Sequence, residues 1–118
     1  MSRETFISPY LMPGLKIKYQ PPEKIIEEVC KYFPHSDIYH HDRLQINLIP
    51  RMIAVKLMRD LSGMKNSEII RYFASKGLIK DHTTFTHYYK AITNWIATDK
   101  GMRNRFEDIL KVFTEKEH

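Results

Sequence analysis

A chain of 118 residues with 42% hydrophobic content has room for one small domain and one modest core, and not for a second domain of any size. No apolar run approaches the roughly 18 residues of a membrane-spanning helix; Met1-Ser2-Arg3-Glu4-Thr5 lacks the basic start and apolar run of a secretory signal, and the single cysteine, Cys30, excludes an intrachain disulfide. These features agree with a reducing, cytoplasmic setting, and the net charge of +5 is concentrated in the middle of the chain: residues 43–90 hold nine Lys/Arg against three acids.

Such a basic middle suggests a surface that faces a polyanion, although a solvated charged face would have the same composition. In chain order, residues 1–20 have no helical or alternating period. Pro9, Pro13 and Gly14 punctuate scattered apolar residues (Phe6, Ile7, Tyr10, Leu11, Leu15), which predicts an irregular N-terminal arm that docks on the domain or on a partner protein. A helical domain is expected over 21–114. Pro21-Pro22-Glu23 opens its first helix, Ile25, Ile26, Val29, Tyr32 and Phe33 follow at helical spacing, and Pro34 stops it. Cys30 lies beside that stripe and reads as a core or boundary residue.

His35, Asp37, His40, His41 and Asp42, taken with Cys30, lack the paired short spacing of structural zinc ligands. A polar turn followed by a short helix or extended connector near Leu44–Leu48 is expected instead, with no metal or other cofactor. Pro50 then opens a helix over 51–61 that buries Ala54, Leu57, Met58 and Leu61 and turns Arg51, Lys56 and Arg59 to its polar side. Ser62-Gly63 ends it, Gly suiting a left-handed cap. Asn66 or Ser67 caps the next helix, whose core residues are Ile69, Ile70, Tyr72 and Phe73. A connector, Ala74 to Lys80, leads to a helix capped by Asp81, with Phe85, Tyr88, Ile92 and Trp95 as its apolar stripe and His82, Thr83, Thr86 and Lys90 on the other side. Thr98-Asp99 ends this helix and caps a last one carrying Phe106, Ile109, Leu110 and Phe113.

Two helices joined by a Gly-containing connector, the second with a short polar face, outline a helix-turn-helix. An α-helix fits the DNA major groove and its N-terminal residues reach base edges. Thr offers a hydroxyl and a methyl, His donates or accepts, and Asp accepts from cytosine N4. Lys80 and Lys90 stand where they would meet the phosphate backbone, which sets register without reading sequence. The bland alternative is that Asp81 only caps while its neighbours are ordinary exposed residues.

The run Asp81-His82-Thr83-Thr84, followed by Phe85-Thr86-His87, resembles the D-H-T-T-V-x-H signature of the C-terminal DNA-binding domain of the bacterial replication initiator protein DnaA. Pro50-Arg51-Met52-Ile53-Ala54-Val55-Lys56-Leu57-Met58-Arg59-Asp60-Leu61-Ser62 is similar to that domain's P-R-x-x-A-x-x-L-x-[KR]-x-L-[ST] stretch. Ser67-Glu68-Ile69 and Phe73 are similar to its next helix, and Ile25, Val29, Tyr32 and Phe33 to its first. The resemblance covers roughly 22–96 and implies an all-α, compact, Trp-repressor-like helix-turn-helix bundle that binds double-stranded DNA. It further implies that Asp81, His82 and Thr83 read bases, that Thr84 lies nearer the backbone, that Arg51 enters the adjacent minor groove, and that Arg59 contacts phosphate. Three departures stand out. Ahead of Pro50-Arg51 the chain has His40, His41 and Arg43 where the family often has an Arg/Lys run. The connector is seven residues long where the family has G-G-[RK], and Ile70 replaces the usual Gly after E-I.

The resulting expectation is a stand-alone, sequence-selective DNA-binding protein, a regulator or replication accessory associated with the nucleoid. It lacks the G-x-x-x-x-G-K-[ST] of an ATPase, and no membrane or small-molecule substrate is expected. The rival expectation is a protein-interaction module that kept the fold and lost DNA binding. No nucleophile–base pair or carboxylate pair falls at a spacing that one helix or turn would bring together, so an enzyme is not expected.

Overall fold

The computed structural model describes residues 5–6, 17–18, 20–40 and 45–114. Five helices carry the fold, which is all-α: α1 (Pro22–Tyr32), α2 (Gln45–Leu61), α3 (Asn66–Ser75), α4 (His82–Thr98) and α5 (Lys100–Thr114). Ahead of them, β1 (Thr5–Phe6) pairs antiparallel with β2 (Ile17–Lys18), Thr5 opposite Lys18 and Phe6 opposite Ile17, and β2 lies against α5. The rest of the expected N-terminal arm, and with it any partner surface there, falls outside the described residues, as do 41–44 and 115–118.

α1 starts and stops on local chemistry. Pro21 is the N-cap and Pro22 sits in the first turn, where its missing N–H would have had no intrahelical partner. Ile25, Ile26 and Val29 are buried. Glu28 is buried beside them and is held by Lys24 at 3.0 Å and Lys31 at 3.2 Å. At the far end Tyr32 Oη donates to Asp108 O at 3.1 Å, tying α1 to α5.

α2 packs against α1, α3 and α4, and α4 in turn against α2, α3 and α5. α2 differs from expectation in two ways. First, it begins at Gln45, so Pro50 lies inside it and does not open it. Proline there forfeits one intrahelical bond. The first turns are held from outside, since the buried Asn47 accepts the Asp37 N–H on Oδ1 at 2.6 Å. Second, every residue from Arg51 to Met58 is buried. Arg51 and Lys56 therefore do not occupy a polar side: neighbouring helices cover that side too. Gly63, at φ +63°, ends α2 in the left-handed conformation that its position suggested.

Ile69 and Phe73 of α3 are fully buried. Its N-cap is Lys65, and the expected side-chain cap from Asn66 or Ser67 is absent. Glu68 Oε1 reaches back to the Lys65 N–H at 2.8 Å instead, while Asn66 is engaged elsewhere. The expected 74–80 connector is shorter in fact, because α3 runs through Ser75. Gly77 then turns the chain at φ +92°, and Leu78, fully buried, pins the turn to the core with its N–H on Phe73 O at 2.9 Å. Phe85 of α4 packs on Phe73 with ring centroids 5.3 Å apart and on Tyr88 at 5.6 Å. Trp95 is only half-buried. Asp99 closes α4 and caps α5, accepting the Met102 N–H on Oδ2 at 2.7 Å.

Candidate nucleic-acid interface

The first turn of α4 is built as its residues dictate. Asp81 is extended at φ −84°, ψ 173°, and its Oδ1 accepts from both the Thr84 N–H and the Thr84 hydroxyl, each at 2.8 Å. These bonds from Thr84 hold the exposed Asp81 carboxyl below its ordinary value, so it is a carboxylate at neutral pH. Capping thus occupies one oxygen, and Thr84 is spent on the cap. His82, Thr83, His87 and Lys90 are exposed. Thr83, His87 and Lys90 fall at i, i+4 and i+7, one continuous stripe facing away from the core. Beside it runs an open depression lined by Leu48, Lys80, Asp81, Thr83, Thr84, His87 and Tyr88, to which α2 contributes Leu48. Lys80 is half-buried on its edge.

Thr86 is not the free surface residue expected. It is half-buried, and its hydroxyl receives the Asn66 amide from α3 at 2.7 Å. The sequence pattern assigns no site role to Asn66 or His87. The spacing of His87 to Thr83 would have revealed it; nothing in the sequence pattern marks a side chain that crosses between helices.

The cations divide into two groups. Arg59, Lys65, Arg71, Lys76 and Lys90 are exposed, and Arg59 lies over the Tyr89 ring with its guanidinium carbon 4.5 Å from the centroid. Arg51 corrects the expectation of a groove-reaching arginine. It is fully buried, with Nε donating to Ile38 O at 2.7 Å, Nη1 to Tyr88 Oη at 3.3 Å and Nη2 to His40 O. Its guanidinium ties the 38–40 turn to α4. Lys56 is fully buried as well. It meets Asp60 Oδ2 at 3.1 Å and donates to Thr93 Oγ1 at 3.1 Å, while Tyr89 Oη donates to Asp60 Oδ1 at 2.9 Å. Burial lowers the Lys56 ammonium and raises the Asp60 carboxyl, and their mutual attraction opposes both shifts. Two of the nine central cations are therefore structural, and the surface is less basic than the sequence count suggests.

Among the described residues no three His, Cys, Asp or Glu side chains stand close enough to share a metal ion; His41 and Asp42 lie outside that set. Cys30 is half-buried, and burial, with the Asp37 charge second, raises its thiol. It has the character of a packing residue, not of an activated nucleophile. No helix of the described residues is long and apolar enough to cross a membrane.

No family model matches the chain. It is 35% identical over 89 residues to the chromosomal replication initiator protein DnaA of Caldanaerobacter subterraneus subsp. tengcongensis, a match covering 74% of this chain and 19% of that protein. The DnaA of Thermoanaerobacter pseudethanolicus matches to the same extent. That of Campylobacter jejuni subsp. doylei is 29% identical over the same length. The resemblance to DnaA thus extends over about three quarters of the chain, which itself spans only 19% of the length of these relatives.

Proposed function

We propose that the chain binds double-stranded DNA sequence-selectively through a helix-turn-helix formed by α3, the turn at Gly77 and α4, and that it serves replication or its regulation as the likeness to a replication initiator implies. The observation that carries this reading is the first half of α4. Asp81 caps it through the Thr84 N–H, and His82, Thr83, His87 and Lys90 are exposed along it, beside a helix N-terminus of the kind that favours phosphate.

In this reading His82 and Thr83 read base edges, with Asp81 Oδ2 able to accept from a cytosine amine. Lys80, Lys90 and Arg59 neutralise phosphates, and Thr84 and Thr86 hold the reading residues in place from the cap and from the α3 side. No part of the binding calls for a nucleotide cofactor. Selection of bound duplexes from a random pool, followed by anisotropy titration, tests it. A consensus should emerge, and affinity should fall steeply with salt. His82→Ala and Thr83→Ala should each cost about 1–3 kcal/mol on the selected site and little on a random duplex. Absence of any enrichment, with no duplex retained at low salt, would overturn the proposal.

A further inference from the structure

Asn66 opens α3, and its carboxamide crosses to the first turn of α4. Nδ2 lies 2.7 Å from Thr86 Oγ1 and 3.4 Å from both the carbonyl oxygen and the ring Nδ1 of His82. The carbonyl dictates which way the amide faces. It can only accept, so it requires the amide nitrogen and not the oxygen. Turning the amide over would set two oxygens against each other and gain nothing opposite, where Oδ1 is buried and meets no hydrogen-bonding partner among the described residues. One amide hydrogen then serves Thr86. The other is shared between the two His82 atoms, which accounts for two long contacts in place of one short one. A ring nitrogen that faces a donor must present its lone pair, so the proton of the neutral imidazole sits on Nε2.

We propose that Asn66 is a positioning residue that holds His82 in the Nε2–H tautomer, so that the exposed ring offers DNA a donor and selects a base edge bearing an acceptor: purine N7, guanine O6 or thymine O4, against the cytosine amine. The tautomer is a property of the free protein; its use for base selection rests on the DNA-binding reading above.

Two measurements test it. In the protein without DNA, at an alkaline pH where imidazole is neutral, ring-nitrogen NMR should show His82 protonated on Nε2. Asn66→Asp replaces the donor by a group that can only accept, and should move the proton to Nδ1. The same spectra report whether the variant is folded, and Asn66→Ser, which keeps a small polar side chain, is the second variant should it not be: it should loosen the Nε2–H preference. A His82 ring protonated on Nδ1 in the unmodified protein, or one indifferent to every folded Asn66 variant, overturns the proposal. In binding, replacing the contacted base by an analogue that lacks the contacted acceptor (a 7-deazapurine where it is N7, 2-aminopurine where it is guanine O6, 5-methyl-2-pyrimidinone where it is thymine O4) should weaken the unmodified protein roughly tenfold and leave His82→Ala unaffected. If the tautomer responds to Asn66 but no duplex binds, the coupling between Asn66 and His82 stands and the DNA reading falls.

Discussion

Replacing Arg51 by Met separates a core role from a DNA-contacting one. Met keeps an unbranched stem of similar reach and removes every donor. It leaves the carbonyls of Ile38 and His40 and the Tyr88 hydroxyl without their partner. His40 is exposed, so its carbonyl regains water; Ile38 and Tyr88 are buried, at 2% and 7% exposure, and do not. Each buried group left unpaired costs about 1–3 kcal/mol. No carboxylate pairs with this guanidinium among the contacts just described, so removing the buried charge recovers part of that loss. The net expectation is about 2–4 kcal/mol of destabilisation. For a domain of this size each kcal/mol moves Tm by roughly 4 °C, so Tm should fall by about 8–16 °C. Thermal unfolding followed by circular dichroism, without DNA, is the assay, and Arg51→Lys should fall between, because one ammonium cannot serve three acceptors in those directions. An unchanged Tm combined with a large loss of DNA affinity would refute the reasoning and return Arg51 to the groove.

The buried Lys56–Asp60 pair should behave asymmetrically. Lys56→Met alone, which leaves a carboxylate buried beside Tyr89, should cost about 3–5 kcal/mol, whereas Lys56→Met with Asp60→Leu should lie within about 1 kcal/mol of the unmodified protein in urea titrations. The Asp60 carboxyl is already raised by burial. A raised carboxyl favours the folded state when protonated, so the deficit of the single variant should shrink as pH is lowered through its folded value; a pH-independent deficit would contradict this. Glu28 has the opposite sign. Burial would raise it, but the hydrogen bonds and charges of Lys24 and Lys31 prevail and lower it below its ordinary 4.5. Its contribution is present above that value and is lost as pH falls through the folded one, so Glu28→Gln should flatten the acid limb of the stability profile. Gly77→Ala meets no atom within 4 Å of the added Cβ, and the φ of +92° alone should make it costly, by roughly 1–2 kcal/mol in a denaturant titration.

Much of the fold is written in local chemistry. Pro22, Gly63, Asp81 and Asp99 act on bonds within four residues of themselves, so the ends of α1, α2, α4 and α5 that they govern are legible without any partner. The apolar stripes Ile25–Val29, Ile69–Phe73 and Phe85–Ile92 are legible for the same reason: a helix that keeps an exposed side shows its period. The outward set His82, Thr83 and Lys90 follows from that period by subtraction. α2 breaks the rule, because it is covered all round: every residue from Arg51 to Met58 is buried, whereas α4 keeps an exposed side. Its period no longer separates buried from exposed, and Arg51 and Lys56 become core residues satisfied by the 38–40 turn, by Asp60, and by Tyr88 and Thr93 of α4. The same holds for Asn66. Its type and place announce a helix cap, yet its amide is drawn across to α4, because Thr86 and His82 come within reach only once the two helices have packed. Contacts along one helix are set by a spacing that any reader of the chain can count; contacts between helices depend on how the neighbours are disposed around each one, and no spacing encodes that arrangement.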